Sequence, residues 1–283
     1  MTGNDLRRNC GQTDSLARFL RSHSGLFVLT GAGCSTDSGI PDYRDGNGQW
    51  KRAPPMDIRE FSSSTANRKR YWARSMVGWR HVGRAIPNAA HRALEKLERA
   101  GLSKQLVTQN VDGLHQRAGS RRVIDLHGRL DHAICLGCGA KRSRQSIQKE
   151  LVDSNPGFGR IDARTAPDGD ADLTGLDFEA FRIPSCGLCG GTLKPDVVFF
   201  GESVPKHRVR MAMDALECAS ALLVVGSSLT VFSGYRFALR AAELGKPIAT
   251  LNLGRTRADH LLSLRVRGPC SEILPSAIER AVT

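Results

Sequence analysis

No run of about 18 or more apolar residues occurs in the 283-residue chain, which excludes a conventional membrane-spanning helix. The opening stretch, MTGNDLRRNCGQTDSLARFLRSHSG, also lacks the roughly 7–15-residue apolar core of a secretory signal, so a cytoplasmic location is expected. No internal repeat and no low-complexity tract appears, which removes solenoids and compositional linkers from consideration. Acidic residues are in deficit: 28 Asp and Glu stand against 41 Lys and Arg, a net charge of +13. A basic surface attracts anions. Here the basic residues are scattered rather than blocked, so they read as a solvated surface, and binding to nucleic acid is not expected.

What is present is an alternation of short apolar runs and helical stretches. Residues 13–24 read as an amphipathic helix with Leu16, Phe19 and Leu20 on one side. The run 26–29 reads as a buried strand ending in the glycine turn 30–33. Residues 88–100 read as a helix capped by Asn88, with Gly101 just past its end. Short strands are expected at 105–108, 123–126, 221–225 and 248–253, and helices at about 205–219, 232–244 and 271–281. The stretch 41–86 has poor periodicity and reads as a long loop with one or two short helices. Alternating strands and helices predict an α/β fold: a Rossmann-like parallel sheet with helices on both faces.

The stretch 130–200 breaks that rhythm. It holds two C-x-x-C pairs, Cys135 with Cys138 and Cys186 with Cys189, separated by 47 residues. Two such pairs can place four thiolates tetrahedrally on one ion, and a shell filled by thiolate leaves no position for water. One structural zinc ion is therefore expected, within an inserted zinc-ribbon module. Between the pairs, residues 153–177 are rich in Asp, Gly and Pro and read as irregular loop. The expected division is a discontinuous dinucleotide-binding domain, 1–129 and 201–283, with the zinc module at 130–200.

Candidate ligand-binding residues gather where strands end. Gly31-Ala32-Gly33-Cys34-Ser35 offers backbone N–H groups at a helix start, the arrangement that suits a diphosphate. Gly226-Ser227-Ser228 and Asn252 follow two further strands, and open α/β sheets bind ligands at that edge. Gln109, Asn110, Val111 and Asp112 follow another, where the polar groups can hold a carboxamide or serve only to cap a turn. His127 closes the strand VIDLH, and an imidazole there can take a proton near neutral pH.

Together, GAGCSTDSGIPDYR (31–44), TQNVDGLH (108–115), His127-Gly128, the two C-x-x-C pairs, KPDVVFFGE (194–202), GSSL (226–229) and NLG (252–254) resemble the signature set of the sirtuins. The resemblance covers roughly residues 13–275, and the PDYRD and RYWAR wording is most similar to class II members. It implies an NAD-dependent protein-lysine deacylase whose partners are acylated lysines of proteins. Gly31, Ala32, Gly33 and Ser35 would line the NAD diphosphate. Asp42, Tyr43 and Arg44 would belong to a mobile cofactor loop, and Gln109 would contact the nicotinamide ribose. Asn110, Val111 and Asp112 would shape the nicotinamide pocket. Gly226, Ser227, Ser228, Asn252, Leu253, Gly254 and Cys270 would lie towards the phosphates and adenosine. Acyl-lysine would pair with Val197, Val198 and Phe199 and reach His127, the general base, with Asn110 and Asp112 as its catalytic companions. Nicotinamide and O-acyl-ADP-ribose would be the products.

Cys34 is expected to pack rather than attack. Tyr71 and Arg74 have the Tyr-x-x-Arg form that reads acidic acyl groups, but they fall about four residues too far upstream for that role. Two other readings stand beside the deacylase: a mono-ADP-ribosyltransferase on the same fold, and a zinc-stabilised binding module without catalysis. The second needs no base, which His127 supplies.

Overall fold

A computed structural model of the chain describes residues 3–46, 49–51, 54–161, 163 and 169–283. Along the chain run α1 (Gly3–Ser22), β1 (Leu26–Thr30), α2 (Ile58–Ser63), α3 (Thr65–Val82), α4 (Ala89–Arg99), β2 (Ser103–Thr108), α5 (Leu114–Ala118) and β3 (Val123–Asp125). Next come β4 (Gly128–Cys135), β5 (Lys141–Ser143), α6 (Arg144–Ser154) and β6 (Leu193–Val197). The chain then closes with α7 (Lys206–Glu217), β7 (Leu222–Val225), α8 (Phe232–Glu243), β8 (Ile248–Leu251), β9 (Leu264–Val266) and α9 (Cys270–Val282).

The large sheet is six-stranded, in the order β3-β2-β1-β7-β8-β9, with every pairing parallel. Residues of β1, β7 and β8 are buried throughout, which explains why these strands read as continuous apolar runs and not as alternations. Alternate side chains divide between two cores. Val28, Leu106, Leu223 and Leu251 face α1, α4 and α9. Phe27, Leu29, Val107, Val224 and Ile248 face α7 and α8. Helices thus cover both faces, as expected. Helix α1 starts earlier than its apolar stripe suggested. Strand β9 escaped the sequence reading because its three residues, Leu264-Arg265-Val266, are too few to show a pattern.

The small sheet is antiparallel, in the order β5-β4-β6. Its core takes side chains from two separate stretches: Phe61, Tyr71, Trp72, Met76 and Val77 of α2 and α3 pack with Ala133, Ile147, Leu151 and Leu193 of the 130–200 insertion. The long loop expected at 41–86 is corrected here, since α3 alone spans 18 residues. Most of the centre of α3 is buried, from Tyr71 to Ala73 and from Ser75 to Gly78. A helix covered on several sides carries no single apolar stripe, so its 3.6-residue period is weak in the sequence. Ser64 caps it by accepting from the Asn67 N–H at 3.1 Å.

Candidate active site

Five neighbouring strands of the large sheet, β3, β2, β1, β7 and β8, end side by side, and each hands its next residues to one cavity. After β1 the chain does not start an α-helix, as the sequence reading expected. It makes two 3-10 turns, Ala32–Cys34 and Thr36–Ser38. The turn after β7 presses against the first of them, with Gly33 N–H donating to the Gly226 carbonyl at 2.9 Å. A Cβ on Gly226, whose φ is 62°, would lie 2.3 Å from the Cys34 nitrogen. A Cβ on Gly31 would lie 2.7 Å from that of Ser227. Glycine is needed at both places because the two turns meet backbone to backbone. Beyond them, Leu229 adopts φ 54° with its side chain 1% exposed. That backbone region costs an L-residue roughly 1–2 kcal/mol, and here the buried side chain and the Ser227 hydroxyl, accepting from Leu229 N–H, hold it.

The residues after β2 are tied into the same turns. Gln109 donates its side-chain amide to the Ser227 hydroxyl at 2.8 Å and to the Thr30 carbonyl at 3.2 Å. Asn110 donates to the Gly31 carbonyl at 3.1 Å and to the Ser35 hydroxyl at 3.0 Å. Ser35 in turn donates to Asp112 at 2.7 Å, and the other Asp112 oxygen accepts from Leu114 N–H at 2.9 Å. Burial raises the Asp112 carboxyl above its ordinary value, against the pull of those two donors.

His127 follows β3, and its tautomer can be deduced. Nδ1 lies 2.9 Å from the Gln109 carbonyl oxygen, which only accepts, so Nδ1 carries the proton. Nε2 is then the acceptor, and the Ser233 hydroxyl, 2.8 Å away, donates to it. Burial lowers the imidazole to about 4, the Gln109 bond opposes this, and the nearby positive charges of Arg208 and Arg236 add to it. His127 is therefore a neutral base with its basic nitrogen fixed by the fold. Ser233 gave no signal in the sequence, because it sits four residues beyond GSSL at the start of α8.

One cavity of about 910 Å³ gathers these groups. It is lined by Gly31, Ala32, Gly33, Ser35, Asp42, Tyr43, Arg44, Gln109, Asn110, Val111, Asp112 and His127. Val197, Val198, Phe199, Gly226, Ser227, Ser228, Asn252, Leu253, Gly254 and Cys270 complete the residues singled out from the sequence, and all of them line it. Other lining residues were not anticipated, notably Trp50, Gly169, Asp170, Phe200 and Ser233, and Tyr71, set aside in the sequence with Arg74, lines it while Arg74 does not. Trp50 packs edge-on to Tyr43 and Phe200, with the Arg44 guanidinium 4.0 Å from the centre of its ring. Cys34 is fully enclosed, and burial holds its thiol well above the ordinary value, so it is not a thiolate nucleophile. It lies with His91 and His115, buried rings whose bonds go to Ser35, Asn88 and Thr30.

The four paired cysteines converge at the end of the small sheet. Cys135 Sγ lies 3.5 Å from Cys189 Sγ, and Cys138 Sγ 3.7 Å from Cys186 Sγ. All four sulfurs fall within 4.8 Å of one another. Thiolates about 2.3 Å from a tetrahedral zinc ion stand about 3.8 Å apart, so this set fits zinc.

Comparison with known proteins completes the picture. Residues 31–233 match a family model described as the Sir2 family. A Bordetella bronchiseptica protein named NAD-dependent protein deacetylase is 59% identical over 264 residues, covering 93% of this chain and 96% of that one. NAD-dependent protein deacetylase 2 of Bradyrhizobium diazoefficiens is 57% identical over 260 residues, covering 92% and 95%. Among solved structures, "Sir2-p53 peptide-NAD+" is 31% identical with a TM-score of 0.73, covering 94% of this chain and 97% of that one. "Structure of Sir2Tm bound to a propionylated peptide" is 30% identical with a TM-score of 0.74, covering 94% and 96%.

Proposed function

Because the chain belongs to the Sir2 family, we propose that the cavity at the sheet edge is its reaction site, with His127 as the general base. The protein is an NAD-dependent protein-lysine deacylase: it transfers an acyl group from lysine to ADP-ribose and releases nicotinamide. The observation that carries the site assignment is the His127 geometry, a neutral imidazole with Nδ1 anchored and Nε2 turned to a cavity-lining hydroxyl.

When bound, NAD supplies the electrophilic ribose carbon and the nicotinamide leaving group. The chain's residues bind, orient and move protons. The turns Gly31–Ser35 and Gly226–Ser228, which glycine lets pack against each other, line the cavity and offer their backbone N–H groups to the diphosphate. Asn252, Leu253, Gly254 and Cys270 line the adenosine end, and Asp42, Tyr43 and Arg44 close over the cofactor. Gln109 holds the nicotinamide ribose, while Asn110, Val111 and Asp112 receive the nicotinamide. Ser35 couples Asn110 to Asp112, accepting from the first and donating to the second. His127 Nε2, which meets the Ser233 hydroxyl, would accept the proton of a ribose hydroxyl brought to that position when NAD is bound. Because a neutral amide oxygen is a weak nucleophile, alignment and exclusion of water must supply much of the rate.

The acyl-lysine peptide adds as a strand along β6 and the residues after it. β6 is an edge strand, and Val198 N–H donates to the His127 carbonyl at 2.8 Å, so a peptide paired there is held next to the base. The four cysteines hold one structural zinc, which fixes the sheet that presents this edge. The division proposed is 1–129 with 201–283 for the cofactor and 130–200 for zinc, although β4 starts at Gly128 and α2 and α3 pack on the small sheet. Among the described residues no helix is long and apolar enough to cross a membrane, and action in the cytoplasm, without nucleic acid, is part of this reading.

The test is mass spectrometry of acyl-lysine peptides incubated with the protein, with and without NAD, beside a His127→Ala control. NAD-dependent loss of the acyl mass with appearance of O-acyl-ADP-ribose supports the reading. ADP-ribose added to the peptide with the acyl group retained would replace it with a transferase.

A further inference from the structure

Beside His127 the cavity carries positive charge that the fold does not neutralise. His127 joins two stretches of chain: its carbonyl accepts from Val198 N–H at 2.8 Å, and its Nε2 meets the Ser233 hydroxyl at 2.8 Å. Ser233 belongs to the first turn of α8, and three residues on, Arg236 lines the same cavity. The Arg236 guanidinium lies over the Phe232 ring, 5.1 Å from its centre. Its Nε is buried and meets no acceptor. Among the described residues no carboxylate pairs with Arg236, nor with Lys206, the first residue of α7, which also lines the cavity. Arg236 is half-buried, so its charge is partly withdrawn from water without a partner, a costly state that an incoming anion relieves.

The nearby acids are already engaged. Glu202 accepts from Lys194 Nζ at 2.9 Å and from Phe199 N–H at 2.7 Å. Asp196 is 2.7 Å from Lys141 and 4.0 Å from Arg208. The charges that act on His127 are those of Arg208 and Arg236, and both lower its imidazole. Helices α7 and α8 begin without a side-chain cap, so their positive ends add to the same field. Next to this charge stand two exposed apolar side chains of the cavity lining, Val231 and Phe232. A cation beside apolar surface suits a side chain with an apolar stem and an acidic tip.

Resting on the deacylase reading and on a peptide added along β6, we infer that Arg236 is a specificity-determining residue for the substrate peptide. It selects acyl-lysines that have a glutamate or aspartate within two residues along the chain. The carboxylate meets the Arg236 guanidinium while its stem packs on Phe232 and Val231. Two residues of strand span about 7 Å, a gap that an arginine and a glutamate side chain bridge together. The net charge of +13 favours the same acidic substrates at encounter.

The test uses the zinc-loaded full chain with NAD and one acetyl-lysine peptide, in which Glu, Gln or Lys is placed in turn at each of the four positions within two residues of the acetyl-lysine. At one position or more, wild type is expected to give kcat/KM about fivefold higher for Glu than for Gln, through a lower peptide KM, and lower still for Lys. At about 1 M salt, where charges are screened within about 3 Å, the ratio should fall to about twofold or less. Arg236→Gln should remove the preference, Arg236→Lys should keep its sign, and Arg236→Glu should reverse it in favour of Lys. A structural role for Arg236 would not reverse a preference. Equal turnover of Glu, Gln and Lys peptides by wild type at all four positions would overturn the proposal without any variant. So would a wild-type preference that persists in folded Arg236→Gln and Arg236→Glu proteins. Either result, with acetyl groups still lost, sinks the Arg236 assignment alone. No acyl loss from any peptide sinks the deacylase reading, and this proposal falls with it.

Discussion

The large sheet and the small sheet both hold a loop still at the cavity, but with different materials. In the first, parallel strands buried on two faces bring their ends together, and glycines let the following turns touch. In the second, one eight-residue strand, two shorter ones and two borrowed helices need four cysteines to fix their far end. The first part carries hydrogen-bonded chemistry, as in the Gln109–His127–Ser233 chain. The second carries the edge strand β6, along which the substrate peptide is proposed to add. The difference teaches that the cofactor side is shaped by backbone packing, while the peptide side depends on a metal.

The comparison breaks most severely on loss of the metal. Stripping zinc with a chelator, or Cys186→Ser, should abolish deacylation and melt the small sheet while the large sheet keeps its circular dichroism signal. Simultaneous collapse of both, or full activity without zinc, would show that the two parts are not distinct in this way. The next effect is chemical. His127→Ala should cost about 10²–10⁴ in kcat/KM, with zinc content and melting temperature near wild type.

How far the sequence allowed this comparison differs between the two parts. Continuous apolar runs made β1, β7 and β8 legible, and the polar residues just after such runs marked the cavity. The four thiolates were legible from spacing alone. The peptide side was not, because α3 is buried around most of its circumference and because β5 has only three residues. Ser233 and Asp170 carry no local pattern; tertiary packing brings them to His127 and to α3. The 3-10 turns after β1 replaced the expected helix because Gly226 presses on Gly33 and Cys34 from a strand nearly two hundred residues away.

Acid should separate stability from catalysis. His91 and His127 are lowered to about 4 and His115 well below its ordinary value, each chiefly by burial. All three are neutral when folded and take up protons on unfolding below about 6.5, so their contribution is present above pH 6.5 and lost as pH falls from 6.5 towards 4. Burial raises Asp112 and Asp125, which gives the opposite slope just above the ordinary carboxylate range. His91 alone, 0% exposed, accounts for about 2 kcal/mol by pH 5, a drop in melting temperature of roughly 4 °C or more. Over pH 6–8, kcat/KM should show no inflection from His127. A midpoint near 6.5 assigned to His127 would contradict its burial.

The smallest effect should come from Ser233→Ala. It removes a neutral hydrogen bond to Nε2, worth about 1 kcal/mol, that the ribose hydroxyl displaces on binding, so kcat should stay within about twofold while KM for NAD falls by up to about fivefold.

The most direct test of the account is stoichiometry. Free nicotinamide and free lysine are counted in the same reaction with an acyl peptide and NAD. The account predicts one nicotinamide per lysine freed, with freeing of lysine slowed by about 10²–10⁴ in the His127→Ala protein. Nicotinamide released with the acyl group still on lysine would contradict it.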